Sequence, residues 1–150
     1  MDATVRGASF RFISTHHDGD CLPLTSAFQQ AQAAELLHGP GATDLPLLLV
    51  GDLNSPADGS GVTYNALTGG TPPLTDVWTA SGFGVGLTCC QADDLRNVDS
   101  SLTQRIDFVL FRGRFTPLAA VTVGDQPLFK TQSGMWPPDH AGVVAALIPQ

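Results

Sequence analysis

Four short polar signals carry the chemistry open to this chain: His16, the Asp52/Asn54 pair, Asp107, and Asp139-His140. Gly51-Asp52-Leu53-Asn54 follows the apolar run Leu47-Leu48-Leu49-Val50. An Asp and an Asn are therefore expected at the carboxyl end of a buried strand, pointing the same way through the twofold alternation of side chains. Such a pair offers a hard anionic oxygen to a cation and an uncharged donor to a phosphoryl oxygen. By itself Asp-x-Asn also suits an ordinary turn, because both side chains bond nearby backbone. Its companions add complementary chemistry. Asp52 and Asp139 supply the oxygen ligands a hard divalent cation prefers, and Asn54 can hold a phosphoryl oxygen. His140 can take a proton from water if a carboxylate such as Asp107 fixes its tautomer. His16 can protonate a leaving oxygen or bond to developing negative charge.

These residues need strands to position them. Alternation of Phe10 and Phe12 with Ser14 and His16 predicts a half-buried strand over Ser9 to His17. Asp18-Gly19-Asp20 makes a turn, and Thr25 or Ser26 caps a helix through Leu37 whose Phe28, Ala31, Gln32, Glu35 and Leu36 recur at helical spacing. His38-Gly39-Pro40-Gly41 ends it, and Pro46 to Val50 reads as a strand buried on both faces. Short helices are expected at Val62 to Leu67 and from Asp76-Val77-Trp78, with a short strand near Leu87 to Gln91. Ala92 to Gln104 reads as a polar excursion. Arg105 to Phe111, Leu118 to Val123 and Val143 to Ile148 are the remaining strands. Strands joined by helices and long loops, with no repeat and no linker, give one domain over residues 1–150, an α/β (α+β) layered sandwich.

Composition bounds the partners. With 150 residues and 43% apolar content the chain can bury a real core. No stretch approaches the roughly 18 apolar residues that span a bilayer, and Met1-Asp2-Ala3-Thr4 lacks the basic start of a signal peptide, so a soluble chain with no marked compartment is expected. A net charge of -7 with only seven Lys plus Arg disfavours tight binding of extended nucleic acid. An enzyme that meets one phosphate through a metal ion remains compatible. Cys21 and the adjacent Cys89-Cys90 make no disulfide framework and no zinc-site spacing; they read as buried or incidental thiols, with a vicinal or Cys21 disulfide left open.

In order along the chain, the motifs resemble the endonuclease/exonuclease/phosphatase superfamily, the deoxyribonuclease I-like metallophosphoesterases. Ile13-Ser14-Thr15-His16-His17-Asp18 is similar to the family's Asn-Thr-His strand, with Ser14 where Asn is usual. Val50 to Asn54 is similar to its Gly-Asp-Phe-Asn block, Arg105-Ile106-Asp107-Phe108 to its Arg-Ile-Asp-Tyr block, and Pro138-Asp139-His140 to its Ser-Asp-His block. No block is specific alone; four in order with matching context are. The resemblance implies one mixed, largely antiparallel sheet with flanking helices, as in the second half of a four-layer sandwich. It also implies hydrolysis of a phosphomonoester or phosphodiester by in-line attack of water, assisted by Mg²⁺ or Mn²⁺. Carried over, Asp52 and Asn54 orient water and phosphate and contribute to the metal site, and Asp139 is a metal ligand. Asp107 pairs with His140, His16 acts near the scissile phosphate, and either Asp52 or His140 is the base.

All matched blocks belong to the second half of that family's domain, whose first half supplies a metal-binding Glu. Of fourteen acidic residues here only Glu35 is a Glu, and its helical placement reads as a solvated face. The sequence thus resembles a carboxyl-terminal half, and two functions follow: a phosphoesterase active within a complete domain, or a catalytically incomplete remnant serving as a binding module. A lone sheet would leave apolar faces at Leu47 to Val50, Phe108 to Phe111 and Val143 to Ile148 partly exposed, which implies pairing with an amino-terminal half or a second chain. Plainer roles are expected elsewhere. His17 is a satisfied or exposed neighbour, His38 a helix-end dipole partner, and Arg105 either a phosphate contact or a salt bridge. Trp78 and Trp136 are core or loop-packing aromatics, Tyr64 packs its helix or lines the substrate groove, and Asn97 and Ser100 sit in a loop that names no substrate.

Overall fold

A computed structural model describes residues 1–19 and 25–150. The far end of the expected turn, Asp20, and Cys21 lie outside the described residues. Strands β1 (Asp2–Val5) and β2 (Ala8–His16) form a hairpin through Arg6 and Gly7, both at positive φ. From β2 the chain passes through helix α1 (Thr25–His38) and returns as β3 (Leu47–Asp52), parallel to β2. After helix α2 (Val62–Gly69), the two-residue β4 (Thr75–Asp76) and helix α3 (Val77–Ser81), strand β5 (Asp107–Arg112) pairs antiparallel with β3 and β4. The resulting sheet has five strands in the order β1-β2-β3-β5-β4. β6 (Phe115–Val123) and β7 (Gly142–Pro149) pair as a separate two-stranded antiparallel sheet.

Alternation along β3 and β5 sorts the core into two layers. Leu47, Leu49, Phe108 and Leu110 pack against Ala33 and Leu36 of α1 and Leu67 of α2. On the opposite face Phe10, Phe12, Leu48, Val109 and Phe111 meet Val77 and Trp78 of α3 and the inner residues of β6–β7. Phe115, at the start of β6, sits edge-on to Phe10 at 5.5 Å and to Phe111 at 5.9 Å. That ring ties the two sheets together; burying one such side chain contributes about 1.5–3 kcal/mol.

Three expectations change. The buried face of α1 is Gln29, Ala33 and Leu36, not the stripe through Phe28 and Glu35, which are exposed. The small Ala33 lets the helix approach the sheet, and Phe28 stays half-exposed. No strand forms over Leu87 to Gln91: the Thr88 and Cys89 amides both bond the Gln104 carbonyl, and Gln91 then turns to the Asp139 carbonyl, leaving one isolated bridge. Finally, the faces of Leu47 to Val50 and Phe108 to Phe111 are covered, the second by β6–β7, whereas Val144 and Ile148 of the expected Val143 to Ile148 face are exposed, together with Leu118 and Val121.

Candidate active site

Strand register builds the site. His16 is the register partner of Asp52 across β2–β3, and Asp52 that of Asp107 across β3–β5. The three side chains therefore stand in one row at the end of three neighbouring strands, continuing the face that carries Phe12, Leu48 and Val109. His140, from the connection before β7, docks onto this row. Its Nδ1 lies 2.9 Å from Asp107 Oδ2 and 3.9 Å from Asp52 Oδ2. His16 Nε2 lies 3.4 Å from Asp52 Oδ2.

Gly51 permits the row. At φ +143° it occupies backbone space that favours glycine, and a Cβ there would fall 1.8 Å from the Thr15 carbonyl oxygen. β3 ends at Asp52, and Asn54 adopts φ +47°, which Asn tolerates better than most residues. Asp52 Oδ1 accepts the Asn54 amide at 2.7 Å, so the turn chemistry and the polar pair are one structure. Asn54 Nδ2 donates to the His17 carbonyl at 2.9 Å and sits 3.1 Å from His16 Nε2. Asp52 and Asn54 thus converge at His16 through a turn rather than by strand alternation.

Asp52 and Asp107 are mostly covered, with 16% and 21% of their side chains exposed, whereas His16 is 73% exposed. Burial raises the Asp52 carboxyl above its ordinary value; the Asp107 charge adds to this, and the Asn54 amide and the imidazoles of His140 and His16 oppose it. Asp107, an acceptor when ionised, holds the proton of His140 on Nδ1 and leaves Nε2 as the free nitrogen.

Other candidates fall away from the cluster. Asp139 is exposed and outside the Asp52, Asp107 and His140 grouping, whose ligand atoms lie within 4.8 Å of one another; its carbonyl accepts the Gln91 amide. His17 is buried rather than a satisfied or exposed neighbour: its Nδ1 has no hydrogen-bond partner among the described residues, and burial, with His16 beside it, lowers its pKa. Arg105 pairs with buried Asp76 at 2.5 Å and stacks over Phe108, so it serves the fold. Asp76 also caps α3 through the Trp78 amide and accepts the Tyr64 hydroxyl. Trp136 is buried, and Asn97 and Ser100 bond within their own loop. His38 Nδ1 contacts the Ala34 carbonyl in the last turn of α1, and Glu35 is exposed on that helix.

Positioning residues also emerge that the sequence hides. Gln29 is buried, and its Nε2 donates to the carbonyls of Asp18 and Asn54, joining the loops after β2 and β3. Thr88 Oγ1 accepts the amides of Ile106 and Asp107, fixing the start of β5. Both are uncharged polar residues with nothing in their spacing to mark them. Cys89 and Cys90 form a vicinal disulfide, and Cys90 Sγ lies 3.6 Å from His140 Nε2.

No protein-family profile and no curated protein matches this sequence. Solved structures do. An endonuclease/exonuclease/phosphatase from Bacteroides vulgatus superposes with a TM-score of 0.72 at 15% identity, covering 97% of this chain and 51% of the other. D. rerio TDP2, complexed with a single-strand DNA product, gives 0.71 at 19% identity over 98% of this chain and 59% of its own. A mannosyl-6-phosphatase from Bacteroides thetaiotaomicron gives 0.62 at 20% identity over 95% and 52%. This chain spans about half the length of the structures it matches. It has the fold of about half of an endonuclease/exonuclease/phosphatase-family domain.

Proposed function

We propose that this chain carries half of a phosphoesterase site and, within a complete domain, hydrolyses a phosphomonoester or phosphodiester by in-line attack of water. The observation that carries the reading is the bonded His140–Asp107 pair beside Asp52, at the end of the row begun by His16. With Nδ1–H directed to Asp107, His140 Nε2 takes the proton of the attacking water as its oxygen bonds to phosphorus. Asp52 orients that water through Oδ2, its other oxygen being held by the Asn54 amide. Protonation of His16 at Nε2 would free the Asn54 Nδ2 proton that faces it for a phosphoryl oxygen, and His16 would then donate to the leaving oxygen as its bond to phosphorus breaks. The likeness to a phosphatase and to a DNA-complexed protein of the same fold supports ester hydrolysis in general.

Mg²⁺ or Mn²⁺ belongs to this proposal. Asp52 and Asn54 offer oxygen to a hard cation, and Asp139, exposed and outside the Asp52, Asp107 and His140 grouping, would add a second carboxylate only by moving toward them. When bound, it would stabilise charge on the phosphoryl oxygens. The acidic charge of -7 favours a small or lipid-linked phosphoester over extended nucleic acid. An amino-terminal half or a second chain would complete the domain.

Two observations favour the remnant reading for the chain alone: Asp139 stands outside the acidic cluster, and the sole Glu is on the surface of α1. Calorimetry with Mg²⁺ separates the two, since a remnant binds it weakly or not at all. Hydrolysis by a complete domain, made by joining this chain to a complementary half, tests the enzyme reading. Asp52→Ala, Asp107→Ala and His140→Ala should each lower kcat by on the order of 100-fold or more. Unchanged rates in all three would reject it.

A further inference from the structure

We propose that Cys89, Cys90 and His140 form, once the two cysteines are reduced, a site for a thiophilic divalent cation, with Zn²⁺ the best fit. Their ligand atoms lie within 4.8 Å of one another, although 50 residues separate Cys90 from His140 in sequence. The distance from Cys90 Sγ to His140 Nε2 is 3.6 Å. Zinc bound to sulfur at about 2.3 Å and to nitrogen at about 2.0–2.1 Å, at a tetrahedral angle, sets those two atoms about 3.6 Å apart, and reduction must let the two bonded sulfurs part to about 3.8 Å to share the ion. The far nitrogen of the same imidazole bonds the Asp107 carboxylate at 2.9 Å, the outer-shell arrangement that orients a zinc-ligating histidine.

The backbone around the thiols is held in place. The Cys89 carbonyl accepts the amides of Thr103 and Gln104, and Ser101 Oγ donates to the Cys90 carbonyl. Three protein ligands leave a fourth position for water, and Cys90 is open to solvent. Two sulfurs select against Mg²⁺, which prefers oxygen, so this site and the carboxylate row accept different ions.

The disulfide gates the site. A phosphine and one water convert it to two thiols and a phosphine oxide; the cation then takes two thiolates and releases two protons. Occupancy engages His140 Nε2, the nitrogen assigned to accept the proton of the attacking water. Only this inhibitory consequence rests on the phosphoesterase reading.

The test titrates the phosphine-reduced chain with Cd²⁺, as a spectroscopic substitute for Zn²⁺, in excess Mg²⁺. The expected result is one bound equivalent, a sulfur-to-cadmium ultraviolet band, a shift of one labelled histidine Nε2 resonance, and displacement by Zn²⁺. Cys90→Ser, at an exposed position, should weaken binding at least about 100-fold, the upper end of what losing an outer-shell partner costs. Absence of the band in the reduced wild-type chain, or an unmoved histidine resonance, overturns the proposal without any variant. Unchanged affinity in Cys90→Ser also overturns it. No hydrolysis is measured, so either reading can fail while the other stands.

Discussion

Burial works against the Asp52 carboxylate. Burial and the Asp107 charge raise its pKa, so the folded chain holds the Asp52 proton more tightly than the unfolded chain. Stability from this group therefore falls as pH rises from the unfolded value toward the folded one, and the ionised carboxylate is a cost at neutral pH. Asp52→Asn keeps an acceptor for the Asn54 amide, so it should raise Tm at pH 7 and lose that advantage as acid protonates the wild-type group; thermal melts across pH read this directly. Asp76 shows the opposite balance. It is buried against Arg105, Tyr64 and the amino end of α3, and Asp76→Ala strands the guanidinium, so urea unfolding should report a loss of about 3–5 kcal/mol. At this scale the sequence exposed the charged and strand-end residues, because alternation and strand ends put His16, Asp52 and Asp107 in register. It hid His17, Gln29 and Thr88, whose environment comes from loops that no periodicity describes.

Gly51 joins the residue scale to that of the elements. Its missing side chain lets β2 and β3 close at the row of site residues, where a Cβ would strike the Thr15 carbonyl. Gly51→Ala should cost roughly 3 kcal/mol or more by combining backbone strain with overlap. In chemical denaturation it should be worse than Gly69→Ala, where a Cβ meets nothing within 4 Å. The three central strands of the large sheet were legible, β2 and β5 through alternation and β3 through an unbroken apolar run, whereas the edge strands β1 and β4, four and two residues long, are too short to show a period. The orientation of α1 was not. Its face is chosen by the close approach of Ala33 and the hydrogen bonds of Gln29, and a stripe drawn through Phe28 selects the wrong side. The Leu87 to Gln91 segment failed as a strand for a similar reason, since its amides converge on one carbonyl instead of a ladder.

The whole molecule presents a layered sandwich with one uncovered side. Leu118, Val121, Val144 and Ile148 form an apolar outer face on β6–β7, and among the described residues nothing covers it. Patches of this kind mark an interface. The chain alone should bind a hydrophobic dye and self-associate at high concentration, and Val121→Lys with Val144→Glu, opposite charges on register partners, should suppress both without loss of Tm; sedimentation and dye fluorescence measure the two effects. No helix of the described residues is long and apolar enough to cross a membrane. The apolar strand faces made such a surface foreseeable from sequence, but its position on β6–β7 depends on how the two sheets pack. We propose that the paired His140 and Asp107, beside Asp52, act on water at a phosphoester. The most direct test is steady-state hydrolysis by a complete domain carrying Asp107→Asn, a change that preserves shape but removes the charge that orients His140. The expected outcome is a fall in kcat of about 10²–10⁴-fold with little change in KM; a variant with wild-type kcat would contradict the account.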